Sequence, residues 1–246
     1  MSLTNKVIVI TGGSSGIGAA TAKLAVEAGA KVVIGARKEA DLQKVVAATQ
    51  SENILYQVTD VTQPDQVKAL INLAINNFGR LDVLYNNAGI MPQGNLIEAK
   101  TASWQKMLNI NVMGVLNGIA AALPLMKEQG HGLIMATDSV AGHVLYPGSA
   151  VYNGSKFAVR AIMEGLRQEE HNNGIKTGTI SPGAVRTNLL STTEDDQIRD
   201  LYERSNQAPN GSLAAEDVAR AAIFMMDQPE GVDINEILVR PTGQGI

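Results

Sequence analysis

The stretch that decides the fold runs from residue 7 to residue 18, Val7-Ile-Val-Ile10-Thr-Gly12-Gly-Ser14-Ser15-Gly16-Ile17-Gly18. Four apolar residues in a row, Val7–Ile10, read as a strand buried on both faces. The turn that follows opens straight into a segment of helical period, with Ala19, Ala20, Leu24 and Ala25 expected on the inner face. Gly12 permits a sharp turn, because without a Cβ a positive φ costs little. Gly16 leaves space for a pyrophosphate against the backbone, and Gly18 lets helix and strand pack closely. A helix that begins there points unpaired N–H groups and the positive end of its dipole at the phosphates. Strand before and helix after make this loop a dinucleotide-type site. Its spacing is Gly-x-x-x-Gly-x-Gly, not the common Gly-x-Gly-x-x-Gly.

Outward from this unit, short apolar runs alternate with segments of helical period. Strands are expected at Lys31–Ala36, Ile54–Val58, Asp82–Tyr85, Leu133–Ala136, Ile175–Ile180 and Glu236–Val239. Between them lie expected helices at Glu39–Thr49, from near Pro64, over most of Trp104–Glu128, at Ala150–His171 and at Ala214–Met226. The regular alternation implies an α/β fold built on a doubly wound, mainly parallel sheet of seven strands with helices on both faces. No repeat or linker divides the 246 residues, which read as one domain, 1–246. The polar interruption Ser191–Pro209, with Glu194, Asp195, Asp196 and Asn206, lies where such a sheet would carry a lid, and a solvated surface helix explains it equally well.

Bulk properties exclude several classes. The chain has no cysteine, and its three histidines, His131, His143 and His171, show no ligand spacing, so no metal site is expected and each reads as a surface or loop residue. A formal net charge of −4 without a basic stripe argues against nucleic acid. Residues 1–6 lead directly into a strand, without a signal-type opening. The apolar runs, Gly118–Met126 among them, fall short of the roughly 20 residues that span a bilayer. A cytoplasmic protein with no membrane partner is the expectation.

The end of the second expected strand tests cofactor choice. A carboxylate there suits the ribose 2′-hydroxyl of NAD(H), whereas a cation accommodates the 2′-phosphate of NADP(H). Here the sequence is Gly35-Ala36-Arg37-Lys38, and Glu39 is explained by the start of a helix. Arg37 forks onto phosphate, so NADP(H) is expected ahead of NAD(H).

The chemistry-bearing segment is Tyr152-Asn-Gly-Ser-Lys156. Residues i and i+4 share one helix face, which places phenol and ammonium together. A unit charge about 4–5 Å away at an effective dielectric of about 20 contributes about 3–4 kcal/mol. That would bring the phenol from near 10 to about 7–8, suited to acid–base work. Tyr146 has Ala150 four residues on and lacks such a partner. Ser139 lies just past a strand end, where its hydroxyl is able to stabilise charge growing on a substrate oxygen; capping the strand-end turn is its alternative role.

Together these motifs resemble those of the classical short-chain dehydrogenase/reductase family. Asn86-Asn87-Ala88-Gly89 is similar to its NNAG segment, which buttresses the sheet near the adenine ribose. Asn109-Ile-Asn111-Val-Met-Gly114 is similar to its NVxG segment, and Asp60-Val61 to the pair that contacts adenine. Pro182-Gly183-Ala-Val185-Arg-Thr187 is similar to the segment that holds the carboxamide. The likeness extends from residue 5 to about 240. It implies a single-domain Rossmann fold, catalysis by Asn111, Ser139, Tyr152 and Lys156, and hydride transfer between NADP(H) and a small carbonyl or alcohol. Asn111 would hold a water that links the lysine to solvent. It further implies a homotetramer or homodimer, for which Met107, Leu116, Ile162 and Met163 are either interface or core.

Two features depart from the pattern. Asp138 stands where the family usually has a small residue; it is expected to repel anionic substrates or to face solvent. The ending Asp233-Ile-Asn-Glu-Ile-Leu-Val-Arg-Pro-Thr242 lacks the Asp-Gly-Gly ending of acyl-carrier-protein reductases and looks more like that of NADP-dependent serine-type hydroxy-acid dehydrogenases and carbonyl reductases. A non-catalytic NADP-binding regulator would be expected to lack one of Ser139, Tyr152 or Lys156, and an epimerase or dehydratase to carry a longer substrate domain. The substrate pocket is expected from His143–Gly148, Gln93–Leu96 and Ser191–Pro209.

Overall fold

A computed structural model of the chain describes residues 2–245, with the side chains of Leu201, Ser205 and Asn206 left aside. Met1 and Ile246 of the expected unit lie outside the described residues, as does the Asn206 side chain of the expected lid. The chain runs β1 (Val7–Thr11), α1 (Gly16–Glu27), β2 (Lys31–Ala36), α2 (Glu39–Thr49), β3 (Ile54–Val58), α3 (Pro64–Phe78) and β4 (Val83–Asn86). It continues α4 (Thr101–Leu108), α5 (Gly114–Gln129), β5 (Gly132–Thr137), α6 (Ala150–Glu170), β6 (Ile175–Pro182), α7 (Asp196–Gln207), α8 (Ala215–Met226) and β7 (Glu236–Val239).

All seven strands pair in parallel in the order β3-β2-β1-β4-β5-β6-β7. The doubly wound seven-stranded sheet read from the sequence is therefore present. Alternate residues of the central strands feed two separate cores. Val7 and Val9 of β1 pack with α3, α5 and α6, while Ile8 and Ile10 pack with α1, α2 and α8. Both faces are buried, which is why these strands are apolar without alternation. The strand order reverses between β1 and β4, and this switch point opens a crevice at the carboxyl edge.

Some sequence expectations need correction. The inward stripe of α1 is Gly18, Thr21, Ala22 and Ala25, with Ala19 and Ala20 only half-buried at its flank. The i, i+3, i+4, i+7 face begins one residue earlier than the alanines implied. Helical backbone runs without a break from Thr101 to Gln129, a stretch long and apolar enough to cross a membrane by length and composition only. Polar residues interrupt its apolar runs, so no single run is of spanning length. Its inner stripe, Met107, Val115, Ala122 and Met126, is packed into the core shared with α3 and α6. Met107 and Met163 are core residues, while Leu116 and Ile162 are half-buried.

Candidate active site

The crevice at the switch point is a cavity of about 800 Å³. One end is formed by the turn after β1. Gly12 and Gly16 both have positive φ, +68° and +54°. A Cβ at Gly12 would stand 2.8 Å from the Ala88 Cα, and one at Gly16 would stand 3.1 Å from the Thr187 side chain. Loop, NNAG segment and the segment after β6 therefore meet so closely that only glycine fits between them. A Cβ on Gly18 would strike the Gly12 carbonyl, as its close-packing role requires.

The Thr11 hydroxyl accepts from Asn87 N (3.1 Å) and Ala88 N (3.2 Å), and Asn87 Nδ2 donates to the Thr11 and Gly12 carbonyls. The Thr137 hydroxyl joins Tyr85 Oη at 2.8 Å and Asn87 Oδ1 at 3.1 Å. These bonds tie the ends of β1, β4 and β5 into one rigid floor. Asp60 Oδ1 accepts from Thr62 N and Oγ1, which fixes the turn that carries Asp60 and Val61 to the wall. At the mouth, Ala36 and Arg37 line the crevice. Arg37 is exposed and has no ion-pair partner among the described residues, whereas Glu39 accepts from Tyr56 Oη at 3.2 Å.

At the other end, Ser139, Tyr152 and Lys156 converge. Tyr152 and Lys156 lie one turn apart on α6, both buried, with Nζ 5.7 Å from the phenol ring centroid. Lys156 Nζ donates to the Thr137 carbonyl at 2.7 Å. Ser139 Oγ accepts from Ala141 N at 3.1 Å, so the turn-capping alternative is realised, and the same hydroxyl meets Tyr152. The expected drop of the phenol to 7–8 does not occur. Burial pushes Tyr152 well above the usual tyrosine range, the hydrogen bond with Ser139 pulls the other way, and the charge of Asp138 and the neighbouring Tyr202 add to the rise. Burial also lowers Lys156, and Asp138 opposes that. Desolvation of the buried phenol is the larger effect here, and residue spacing does not reveal it.

Of the residues expected at the site, all line the cavity except Gly18, Lys38 and Asn111. Lys38 is exposed at the start of α2. Asn111 is buried behind the wall in a π-turn, Asn109–Met113, where its amide bonds Ile90 O (2.9 Å) and Ser155 Oγ (3.2 Å). The expected pocket segments are only partly right. Tyr146, Pro147, Thr192, Ile198 and Tyr202 line the cavity, but none of Gln93–Leu96 does, and Met91, Leu189 and Leu190 take their place. Gly243, Gln244 and Gly245 also line it, and no sequence signal marked that tail. Asp138 neither faces solvent nor stands free. It is 2 % exposed, receives the Ser181 hydroxyl at 3.2 Å, and has His143 and Arg160 beside it. His143 is correspondingly no free surface residue, with Nε2 2.7 Å from Glu236 Oε1.

Residues 6–198 match the family model for short chain dehydrogenase. The chain belongs to that family. An uncharacterized oxidoreductase of Staphylococcus saprophyticus is 46% identical over 244 residues, covering 98% of each chain. Among solved structures, this short-chain dehydrogenase superposes on a 3-ketoacyl-(acyl-carrier-protein) reductase from Brucella melitensis complexed with NADH at a TM-score of 0.88, with 29% identity and coverage of 98% and 99%. It superposes on the closed form of a serine dehydrogenase complexed with NADP+ at 0.90, with 26% identity and coverage of 98% and 96%. Like these short-chain enzymes, the protein is an oxidoreductase.

Proposed function

We propose that this chain moves hydride between NADP(H) and an uncharged, largely apolar carbonyl compound or its alcohol, with Tyr152 as general acid–base and Ser139 and Lys156 assisting. The observation that carries this reading is the meeting of those three side chains on the wall of the crevice whose other end is the glycine turn. The crevice fits a dinucleotide: Gly12 and Gly16 keep its floor free of side chains, and residues 182–187 face them across the gap. Arg37, exposed at the mouth without an anionic partner among the described residues, supports the 2′-phosphate and hence NADP(H) over NAD(H). One neighbour binds NADH and another NADP+, so this preference rests on Arg37.

The nicotinamide cofactor supplies or accepts the hydride. Ser139 Oγ and Tyr152 Oη hold the substrate oxygen, where negative charge grows in the transition state. Tyr152 Oη passes its proton to that oxygen; burial keeps the phenol protonated beforehand and makes its phenolate costly. The Lys156 ammonium offsets the phenolate left behind, and Asn111, anchored to Ile90, steadies the wall behind it. Apart from Arg37 and Lys156, no lysine or arginine lines the cavity among the described residues. Met91, Leu189, Ile198 and Tyr202 make the substrate end apolar. A hydroxy acid of the serine type would find no counter-ion there among the described residues besides the catalytic Lys156, which favours the carbonyl-reductase side of the branch.

In the same reading the whole chain is one catalytic unit, residues 191–209 cover the pocket, and the protein acts in the cytoplasm as a homotetramer or homodimer. Exposed Leu108, Met113 and Phe157 supply apolar surface for such assembly. The test of the chemistry is Tyr152→Phe. It should keep the fold and lower kcat by about 10²–10⁴-fold in a carbonyl assay followed by NADPH absorbance. A variant that keeps more than about a tenth of wild-type kcat removes Tyr152 from the mechanism.

A further inference from the structure

Behind Ser139 lies a group of charges that the mechanism above does not use. Tyr152, Lys156 and Arg160 follow one another at four-residue intervals on α6, so they form a stripe facing the end of β5. Tyr152 meets Ser139, Lys156 binds the Thr137 carbonyl, and Arg160 Nε stands 3.9 Å from Asp138 Oδ2. Three consecutive residues of one strand end are thus matched by three consecutive turns of one helix. Asp138 lies in the chain between the residues that Lys156 and Tyr152 touch, with the Arg160 guanidinium beside it.

The carboxylate is held from other sides as well. Ser181 Oγ of β6 lies 3.2 Å from Asp138 Oδ2 and 2.9 Å from Glu236 Oε1 of β7. His143 Nε2 lies 3.7 Å from Asp138 Oδ2, and Arg160 reaches Glu236 Oε2 at 3.5 Å and the Gly142 carbonyl at 3.0 Å. Asp138 Oδ1 has no hydrogen-bond partner among the described residues. Asp138, His143 and Glu236 bring ligand-type atoms within 4.8 Å of one another. The Arg160 guanidinium is shared between the two carboxylates of this cluster.

We propose that Asp138 is a positioning residue, a buried anion set at the end of β5 between the residues that Lys156 and Tyr152 touch, and that it sets the pH at which the Tyr152–Lys156 pair exchanges its proton. This rests on the hydride-transfer reading above. The titratable and charged groups facing the trio are Arg160 on α6, His143 beyond Ser139, Glu236 on β7 and Tyr202 on α7. Of these, Arg160 is held against the two carboxylates, so the unit charge that bears most directly on the pair is that of Asp138. Its effect on both partners has one sign: it favours the ammonium over the amine and the phenol over the phenolate.

The test is the pH profile of kcat/KM for Asp138→Asn, an isosteric change that removes the charge. The limb assigned to the pair should move to lower pH by about one unit or more, in both reduction and oxidation. Glu236→Gln removes a charge at the more exposed edge of the cluster and should move the same limb in the same direction by less. A structural role alone would lower activity without this ordered displacement. An unmoved profile in Asp138→Asn overturns the proposal, and should that variant not fold, an unmoved profile in Glu236→Gln does so. The Tyr152→Phe result is independent: if that variant is inactive while these profiles stay put, only the role of Asp138 falls.

Discussion

Replacing Arg37 by glutamine separates the two nicotinamide cofactors on physical grounds. Arg37 lines the mouth of the crevice, exposed and without an ion-pair partner among the described residues. Two unit charges about 4 Å apart at an effective dielectric of about 20 attract by about 4 kcal/mol, and this is an upper figure for a solvent-facing group. A hydrogen bond to a charged group contributes about 1.5–3 kcal/mol, and Lys38 next door retains part of the attraction. A loss near 2 kcal/mol is about 30-fold in NADPH affinity. NADH has no 2′-phosphate, so its affinity should change by less than about threefold. Fluorescence titration of each cofactor at low and high salt measures both, and the salt dependence of NADPH binding should weaken in the variant. Equal losses for the two cofactors would refute the phosphate role of Arg37.

Two further outcomes follow from the same structure. An uncharged 3-oxo ester should surpass the matching 3-oxo acid in kcat/KM by at least about tenfold, because among the described residues no lysine or arginine besides Arg37 and the catalytic Lys156 lines the cavity to offset a substrate carboxylate; parity would remove the apolar-substrate reading. Hydrogen bonds from Lys127 and then Asn173 hold the Glu170 carboxyl below its ordinary value of 4.5. A lowered pKa stabilises the fold above 4.5, and that contribution is lost as pH falls through the folded value. Glu170→Gln should therefore cost about 1 kcal/mol in urea unfolding at neutral pH and nothing measurable once the carboxyl is protonated, Lys127 being partly solvated.

The fold was legible where local chemistry and burial agree. Val7–Ile10 is apolar because the sheet is covered on both sides, and the turn after it needs glycine because Ala88 and Thr187 approach it. The α6 stripe was legible because four-residue spacing is enough to put Tyr152 beside Lys156. What stayed hidden depends on residues far apart in the chain. Asp138 is enclosed by β6, β7 and α6, and none of these contacts leaves a trace near position 138. The acidity of Tyr152 was misjudged for the same reason, since spacing reports its cation and not the depth at which the ring is buried. The substrate wall draws on Met91, Leu189 and the tail at Gly243–Gly245, segments without periodicity that are assembled only by the closed fold.

The π-turn at Asn109–Met113 adds one residue to what would otherwise be a regular helix, with the Gly114 N–H reaching back to the Asn109 carbonyl. Each residue of an α-helix advances about 100° around its axis. The extra residue therefore acts as a phase shifter between α4 and α5. With it, Met107 and the stripe Val115, Ala122 and Met126 enter the same core, and Gly114 fits against Val61, where a Cβ would stand 2.8 Å from Cγ2. Excising a single residue would swing the second helix by more than a quarter turn, turning its oily side toward water. The count of residues between Met107 and Val115 is thus as tightly constrained as their chemistry, and the irregular turn is what lets a long helix keep two separate appointments with one core.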